Sequence, residues 1–184
     1  SNISNATFVE DSSSGAIAFT VSDPETAGGD LNVSASSSDM SLIPASGITV
    51  GGSGQNRTVI LTPAANQSGS ATITVSVSDG SLSATDTFVV TVDPMNDAPS
   101  ISSISDRTIS EGSSSGAIEF TVTDIESSNG SLTFSKNSSN SSLVPNSSIV
   151  FGGSGTNRTV TVTPVAGQSG SASISVTVSD GDLS

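Results

Sequence analysis

The sequence predicts an all-β protein made of two tandem seven-strand antiparallel β-sandwiches, the second of which lacks its last strand. The first observation is that the chain matches itself at a shift of 101 residues, with 46 identities over the 74 pairs from 10–83 and 111–184. A unit of about 100 residues is a common size for a β-sandwich. The second is that no segment combines a helical period with good helix formers. Tandem duplication therefore predicts two domains, 1–95 and 96–184.

The strands are expected where short apolar runs stand between Ser, Gly, Asn and Pro. In the first repeat they fall near 3–9, 16–22, 31–36, 47–50, 57–62, 71–78 and 84–92. Alternation is clearest in the second, sixth and seventh, where Val, Ile and Phe at every other position are separated mainly by Thr and Ser. One apolar face on each strand predicts two packed sheets of immunoglobulin-like or cadherin-like topology.

The second repeat stops after SDGDLS (179–184), where the first continues into ATDTFVVTV (84–92). Its sixth strand is therefore expected to keep an unpaired edge, and such edges recruit strands from other chains. Two explanations remain open. The preferred explanation is that the sequence was simply cut before the last strand. The alternative is that a neighbouring subunit donates this strand to the second repeat, so that the chains self-associate into a filament.

Composition excludes several classes of function. The 184 residues hold 17 acidic and 4 basic side chains, a net charge of -13, and no Cys, His, Trp or Tyr. Without His or Cys, the usual zinc, haem and iron–sulfur sites, a thiol nucleophile and a Ser–His–Asp triad are excluded. The negative charge disfavours nucleic acid and favours cations. No apolar run approaches the roughly 20 residues of a membrane span, so membrane insertion is not expected.

In three strands of the first repeat, an acidic residue occupies the next position in the series of alternating residues that face the core. Asp23 follows the second strand, Asp79 follows the sixth, and Asp86 precedes the apolar positions of the seventh. Antiparallel alternation brings these strand ends to one pole of the sandwich, with Glu25 on the adjacent loop. Three carboxylates are therefore expected to converge over one end of the core.

The second repeat carries Asp124, Glu126 and Asp180 at matching positions. Like charges beside an apolar core cost free energy unless something neutralises them. Oxygen ligands in flexible loops suit Ca²⁺, and they suit Mg²⁺ or Mn²⁺ less because both prefer stricter octahedra. The alternative is that these acids are ordinary solvated turn residues, since Asp favours turns.

The opposite pole of the first repeat offers further ligands. Glu10 follows the first strand there and lies on the same face as Phe8, two residues earlier. The connector 93–99 carries Asn96 and Asp97. We expect the connector to run from this pole to the acidic cap of the second repeat. A Ca²⁺ ion held by these three residues and the three acids of the second repeat would then bridge the domains.

The connector DPMNDAP (93–99) resembles the cadherin calcium linker D-x-N-D-N-x-P. The whole repeat, with its SDPE and TDIE loops, GGSGxNRTV, and VSDG followed in the first copy by ATDTF, is similar to cadherin-like and immunoglobulin-like tandem repeats of large bacterial surface adhesins. Met-Asn-Asp replaces the central N-D-N, and D-x-E replaces D-x-D. The resemblance therefore implies one or two ions instead of three, and a spacer or adhesive segment outside a bacterial cell.

The glycine-rich segments 51–59 and 152–160 are expected to be hairpins, because no Lys follows at phosphate-loop spacing and no helix follows at all. Arg57 and Arg158 lie in register within them and are expected to form ion pairs at the strand ends.

The leading functional hypothesis is a non-enzymatic, extracellular cell-adhesion and structural repeat that contacts neighbouring repeats of its own chain. Calcium would stiffen the junction. A module that binds glycan or ice is one alternative, although the lack of Trp and Tyr argues against sugar stacking. Another is an accessory domain of a secreted hydrolase.

Overall fold

The computed structural model describes residues 2–184. The chain forms two compact units, Ser1–Met95 and Asn96–Ser184, here called unit 1 and unit 2. Both consist of strands joined by turns. The only helical segments among the described residues are the three-residue 3₁₀ turns Ala45–Gly47 and Asn146–Ser148. Within residues 2–184, no helix has the length and hydropathy needed to cross a bilayer.

Unit 1 contains seven strands in two sheets. They are β1 Ala6–Val9, β2 Ile17–Thr20, β3 Asn32–Ser37, β4 Ile48–Ser53, β5 Asn56–Leu61, β6 Gly69–Ser78 and β7 Ser83–Asp93. One sheet has the order β1-β7-β6-β3 and the other β2-β5-β4. Each predicted strand overlaps one of these seven.

The pairing of β1 with β7 is parallel, with Ala6 opposite Val90, although the sequence predicts antiparallel strands throughout. The other pairs of unit 1 are antiparallel. After β1 the chain passes to the other sheet at β2, so no hairpin forces β1 to run against β7. The predicted sandwich class is confirmed, with this one pair corrected.

The core of unit 1 lies between the two sheets and follows the predicted alternation. In β6, Ala71, Ile73 and Val75 are buried, while Thr72 between them is exposed. In β7 the buried positions are Phe88, Val90 and Val92. Burial of these side chains is the main stabilising contribution, at about 25 cal/mol per Å² of apolar surface.

Unit 2 contains six strands. They are β8 Ser100–Ile101, β9 Ile118–Thr123, β10 Thr133–Ser138, β11 Ile149–Ser154, β12 Asn157–Val162 and β13 Ile174–Ser179. One sheet has the order β11-β12-β9-β8, and the other contains only β10 and β13. In the described chain, β13 has no neighbour on the side where β6 pairs with β7.

The glycine-rich segments form the predicted β4–β5 and β11–β12 hairpins. Gly52 and Gly153 have φ angles of +87° and +81° there, and a Cβ at Gly52 would lie 2.3 Å from the Asn56 carbonyl oxygen. A side chain at this position is therefore disfavoured by the backbone angle and by the close approach of the opposite strand.

The predicted ion pairs of the two arginines are wrong. The Arg57 guanidinium donates to the carbonyl oxygens of Gly28 and Leu31 at 2.8 and 3.3 Å. Arg158 donates to the Asn129 carbonyl at 2.7 Å. Each arginine thus closes a loop beside its hairpin by satisfying backbone acceptors, a role for which its forked donors are suited.

Candidate functional site

Asp23 lies just beyond β2 and shapes the loop that follows. Its Oδ1 accepts hydrogen bonds from the backbone N–H groups of Glu25 at 3.0 Å and Thr26 at 2.7 Å. This is an Asx-type turn, in which a short carboxylate satisfies backbone donors two and three residues ahead. The Glu25 side chain is exposed on the same loop.

Asp79 makes the same kind of turn between β6 and β7. Its Oδ1 accepts from the amides of Ser81 and Leu82, both at 2.7 Å. These bonds, with that from Leu82 the larger cause, lower the pKa of Asp79 below its usual 3.8 because amide donors favour the charged carboxylate.

Asp86 ties the start of the described chain to β7. Its Oδ2 accepts from the Ile3 amide at 2.9 Å, and its Oδ1 accepts from the Thr87 amide at 2.9 Å. Asn5 adds a parallel contact, because its Oδ1 accepts from the Val89 amide at 2.9 Å. From the sequence, Asp86 is predicted only as a cation ligand, which stays a prediction, and its role in holding the start of the described chain against β7 was missed.

In unit 2, Asp124 repeats the turn of Asp23. Its Oδ1 accepts from the amides of Glu126 at 3.1 Å and Ser127 at 2.6 Å. Its Oδ2 is shielded from solvent and has no hydrogen-bond partner among residues 2–184. A shielded carboxylate oxygen without a donor is unusual, because its desolvation is left uncompensated.

Asp180 repeats the turn of Asp79 and adds a side-chain partner. Its Oδ1 accepts from the amides of Asp182 and Leu183, both at 2.7 Å, and its Oδ2 accepts from the Asn96 Nδ2 at 2.8 Å. The Leu183 amide first, then Asn96 and Asp182, lower the pKa of Asp180 below 3.8.

Residues 96–97 are therefore tied to both acidic turns of unit 2. Asn96 contacts Asp180, and the Asp97 amide donates to Glu126 Oε2 at 3.1 Å. We call the set of Asn96, Asp97, Asp124, Glu126 and Asp180 the acidic cap of unit 2. These are the five residues of unit 2 that the sequence assigns to a cation.

Glu10 has a different environment in unit 1. The side chain is 2% exposed, and its Oε1 accepts from the Met95 amide at 2.8 Å. The backbone N–H of Glu10 donates to the Asp93 carbonyl at 2.9 Å. Glu10 thus holds the end of unit 1, and its part in a cation shared with the second repeat stays a prediction.

No group of three or more Asp or Glu side chains within residues 2–184 is arranged to hold a metal ion as the side chains stand. The four turn-forming aspartates each direct one oxygen to amides of their own loop, as the ordinary-turn alternative expects; they are Asp23, Asp79, Asp124 and Asp180. The calcium site stays a prediction, and the shielded Asp124 Oδ2 is the atom that a cation would satisfy.

Comparison with known proteins identifies relatives of both repeats. The family described as "Bacterial Ig domain" matches residues 1–93 and 96–184. Chitinase A of Pseudoalteromonas piscicida is 34% identical over 110 residues, which is 55% of this chain and 13% of the chitinase. The chain thus matches only a small part of that relative.

Solved structures show more distant similarity. A chimeric titin fragment carrying an exogenous decorin peptide is 15% identical, with a TM-score of 0.39, over 99% of this chain and 88% of the fragment. An endo-fucoidan hydrolase from glycoside hydrolase family 107 is 18% identical, with a TM-score of 0.41, over 100% of this chain and 26% of the hydrolase. At these values the similarity carries no argument about function.

Proposed function

Because the chain belongs to the bacterial Ig domain family, we propose that it is a non-enzymatic structural segment of a large extracellular protein at a bacterial surface, where it acts as a spacer or adhesive repeat. Domains of this kind are typically non-catalytic. The observation that carries the proposal is that acids recurring in both repeats, such as Asp79 and Asp180, have turn-forming roles.

The second part of the proposal is that Ca²⁺ stiffens the acidic cap of unit 2. Asp124 Oδ2 supports it, because this shielded oxygen has no donor among the described residues. Ca²⁺ prefers carboxylate and amide oxygens and tolerates irregular loop ligands. Asp124, Glu126 and Asp180 would supply carboxylate oxygens, and Asn96 and Asp97 would supply the remaining side-chain oxygens.

A bound ion would act on the loops rather than on the core. The cap joins three segments of unit 2, namely residues 96–97, the loop after β9 and the turn after β13. A divalent cation would screen the repulsion among their carboxylates and restrict their motion relative to one another. The expected consequence is a more rigid entry into unit 2.

Calorimetric titration of the full chain with Ca²⁺ tests this role. We expect measurable binding and a higher melting temperature in Ca²⁺ than in EDTA. Asp124→Asn should weaken binding at least about tenfold, because a coordinating charge is lost. Asp39→Asn is the matched control, since Asp39 forms a similar turn with Ser41 and Leu42 but carries no predicted ligand role.

The contrary outcome would be the absence of a binding heat together with identical melts in Ca²⁺ and EDTA. That result would remove calcium from the account. The non-enzymatic spacer role would survive it, because that role rests on the repeated fold.

An accessory role within a secreted carbohydrate-degrading enzyme is the second candidate, favoured by the 34% identity to part of a chitinase. Retention of the full chain on insoluble chitin tests a binding form of that role. A spacer should pass through as an inert protein of equal size does, whereas specific retention that soluble chitin fragments compete away would favour the accessory binding role.

A further inference from the structure

The turn between β9 and β10 of unit 2 contains the only Asn-Gly pair of the sequence, Asn129-Gly130. The Ser131 amide donates to the Ser128 carbonyl at 2.9 Å, so Asn129 and Gly130 are the two central residues of a β-turn. Gly130 is exposed and Asn129 is half-buried. In such a pair the glycine nitrogen can attack the carbonyl carbon of the asparagine side chain, because no Cβ of the following residue hinders the approach.

Unit 2 has space for the Asn129 side chain, whereas unit 1 has none at the matching position. The counterpart of Asn129 is Gly28, where a Cβ would lie 2.7 Å from Gln55 Cγ and 3.0 Å from the Gln55 amide nitrogen. The counterpart of Gln55 is the shorter Thr156, whose Oγ1 accepts from Asn129 Nδ2 at 2.8 Å. The pair of Asn129 and Thr156 thus replaces Gly28 and Gln55, and the asparagine belongs to the second repeat alone.

The backbone amide that follows Asn129 is available as a nucleophile. The Gly130 N–H has no hydrogen-bond partner among residues 2–184. A Cβ built at Gly130 would have no heavy atom within 4 Å, so the backbone is unobstructed on that side. Hydroxide from the solvent therefore reaches this N–H, and the turn has space in which the nitrogen can move toward Cγ of Asn129.

Asn137 in β10 has the opposite arrangement. Its side chain is exposed, but the next residue, Ser138, is only 9% exposed and carries a Cβ. The Ser138 N–H donates to Asn146 Oδ1 at 2.9 Å. An amide that is shielded from water and held in a hydrogen bond is a poor nucleophile, so Asn137 is a comparison site within the same unit.

We propose that Asn129 deamidates spontaneously and that the isoaspartate product opens the turn between β9 and β10. The Gly130 nitrogen loses its proton to hydroxide and bonds to Asn129 Cγ. The bond from Cγ to Nδ2 then breaks, and Nδ2 takes a proton from water and leaves as ammonia. Water opens the resulting succinimide ring at either of its two carbonyl carbons, which gives aspartate or isoaspartate. This modification is additional to the spacer function and does not depend on calcium.

The two products affect the turn differently. Aspartate keeps the path of the backbone, and the Thr156 hydroxyl can donate to its carboxylate where it now accepts from the amide. In isoaspartate the main chain runs through Cβ and Cγ, so the contact with Thr156 is lost. The added methylene also widens the turn that the Ser131 and Ser128 hydrogen bond closes. Isoaspartate therefore loosens the loop that carries part of the acidic cap, and both products add a negative charge to it.

Ageing of the full chain in mildly alkaline buffer, followed by peptide mapping with electron-transfer fragmentation, tests the chemistry. We expect Asn129 to acquire the mass of a carboxylate, as both aspartate and isoaspartate, while Asn137 stays an amide over the same period. Gly130→Ala is the matched control, because its Cβ has open space in the folded turn but hinders attack by the nitrogen. Product at position 129 should fall to background in this variant.

Urea unfolding of the separated forms tests the structural consequence. Chains with isoaspartate at position 129 should unfold in unit 2 at about 1 to 2 M less urea than the unaged chain, because two hydrogen bonds of the turn are lost. Asn129→Asp should unfold at the wild-type midpoint. Equal conversion of Asn129 and Asn137, undiminished product in Gly130→Ala, or an isoaspartyl chain with the wild-type midpoint would each overturn the proposal.

Discussion

Truncating the same isoleucine in both units should have unequal effects. Ile73 is 0% exposed and packs opposite Phe88, whereas Ile174 of β13 is half-buried. Ile→Ala at a fully buried position costs about 2 to 5 kcal/mol, from lost transfer free energy and the cavity left behind. We expect about 3 kcal/mol for Ile73→Ala and about 1 to 2 kcal/mol for Ile174→Ala.

Urea unfolding monitored by NMR measures both effects in the full chain. Methyl signals of Val59 and Val160, each in the core of its own unit, report the two transitions separately. With a slope of about 1 to 1.5 kcal/mol/M for a domain of this size, Ile73→Ala should lower its midpoint by about 2 to 3 M and Ile174→Ala by about 0.7 to 2 M.

Val150→Ala serves as the control, because Val150 is 57% exposed and should change stability by less than about 0.5 kcal/mol. Equal losses for Ile73→Ala and Ile174→Ala would refute the reasoning, since they would mean that Ile174 is packed as closely as Ile73 in solution.

Two further predictions concern the turns. Asn96→Ala should raise the pKa of Asp180 toward 3.8 and leave that of Asp79 unchanged in a carboxyl NMR titration, because only Asp180 accepts from this amide. In the wild type both folded pKa values lie below the unfolded ones, so their stabilising contribution is present above about pH 4 and is lost as the pH falls through the folded values. Gly153→Ala should lower the free energy of unfolding of unit 2 by more than about 2 kcal/mol, because its Cβ would lie 2.4 Å from the Asn157 carbonyl oxygen at a φ of +81°. Gly155→Ala, which has open space at a φ of +58°, should cost only about 1 kcal/mol, and equal urea midpoints for the two variants would contradict this.

The strands could be predicted from the sequence because period-two alternation and turn residues are local signals. The run 71–78 alternates apolar and hydroxyl side chains, and it lies within β6. The parallel pairing of β1 could not be predicted in this way, because alternation defines faces but not direction. Residues 107–110 match β1 in the repeat but form no strand, a difference that the sequence does not indicate.

The candidate site was predicted only in part. Asp124 and Asp180 lie at turns that directly follow strands, as their order in the sequence indicates, while their role as cation ligands stays a prediction. The alternation of residues along a strand gives no information on which carboxylate oxygen accepts from which donor. At turns, backbone amides compete with any cation for the carboxylates. The contact of Asn96 with Asp180 joins positions 84 residues apart, so no local pattern could indicate it.

Amide hydrogen exchange tests the central claim, that the two repeats share one sandwich and that β13 of the described chain pairs with β10 alone. The comparison is between Ala71, Ile73 and Val75, which face β7, and their counterparts Ala172, Ile174 and Val176. We predict strong protection of the first set and rapid exchange of the second. Equal protection of both sets would contradict the account.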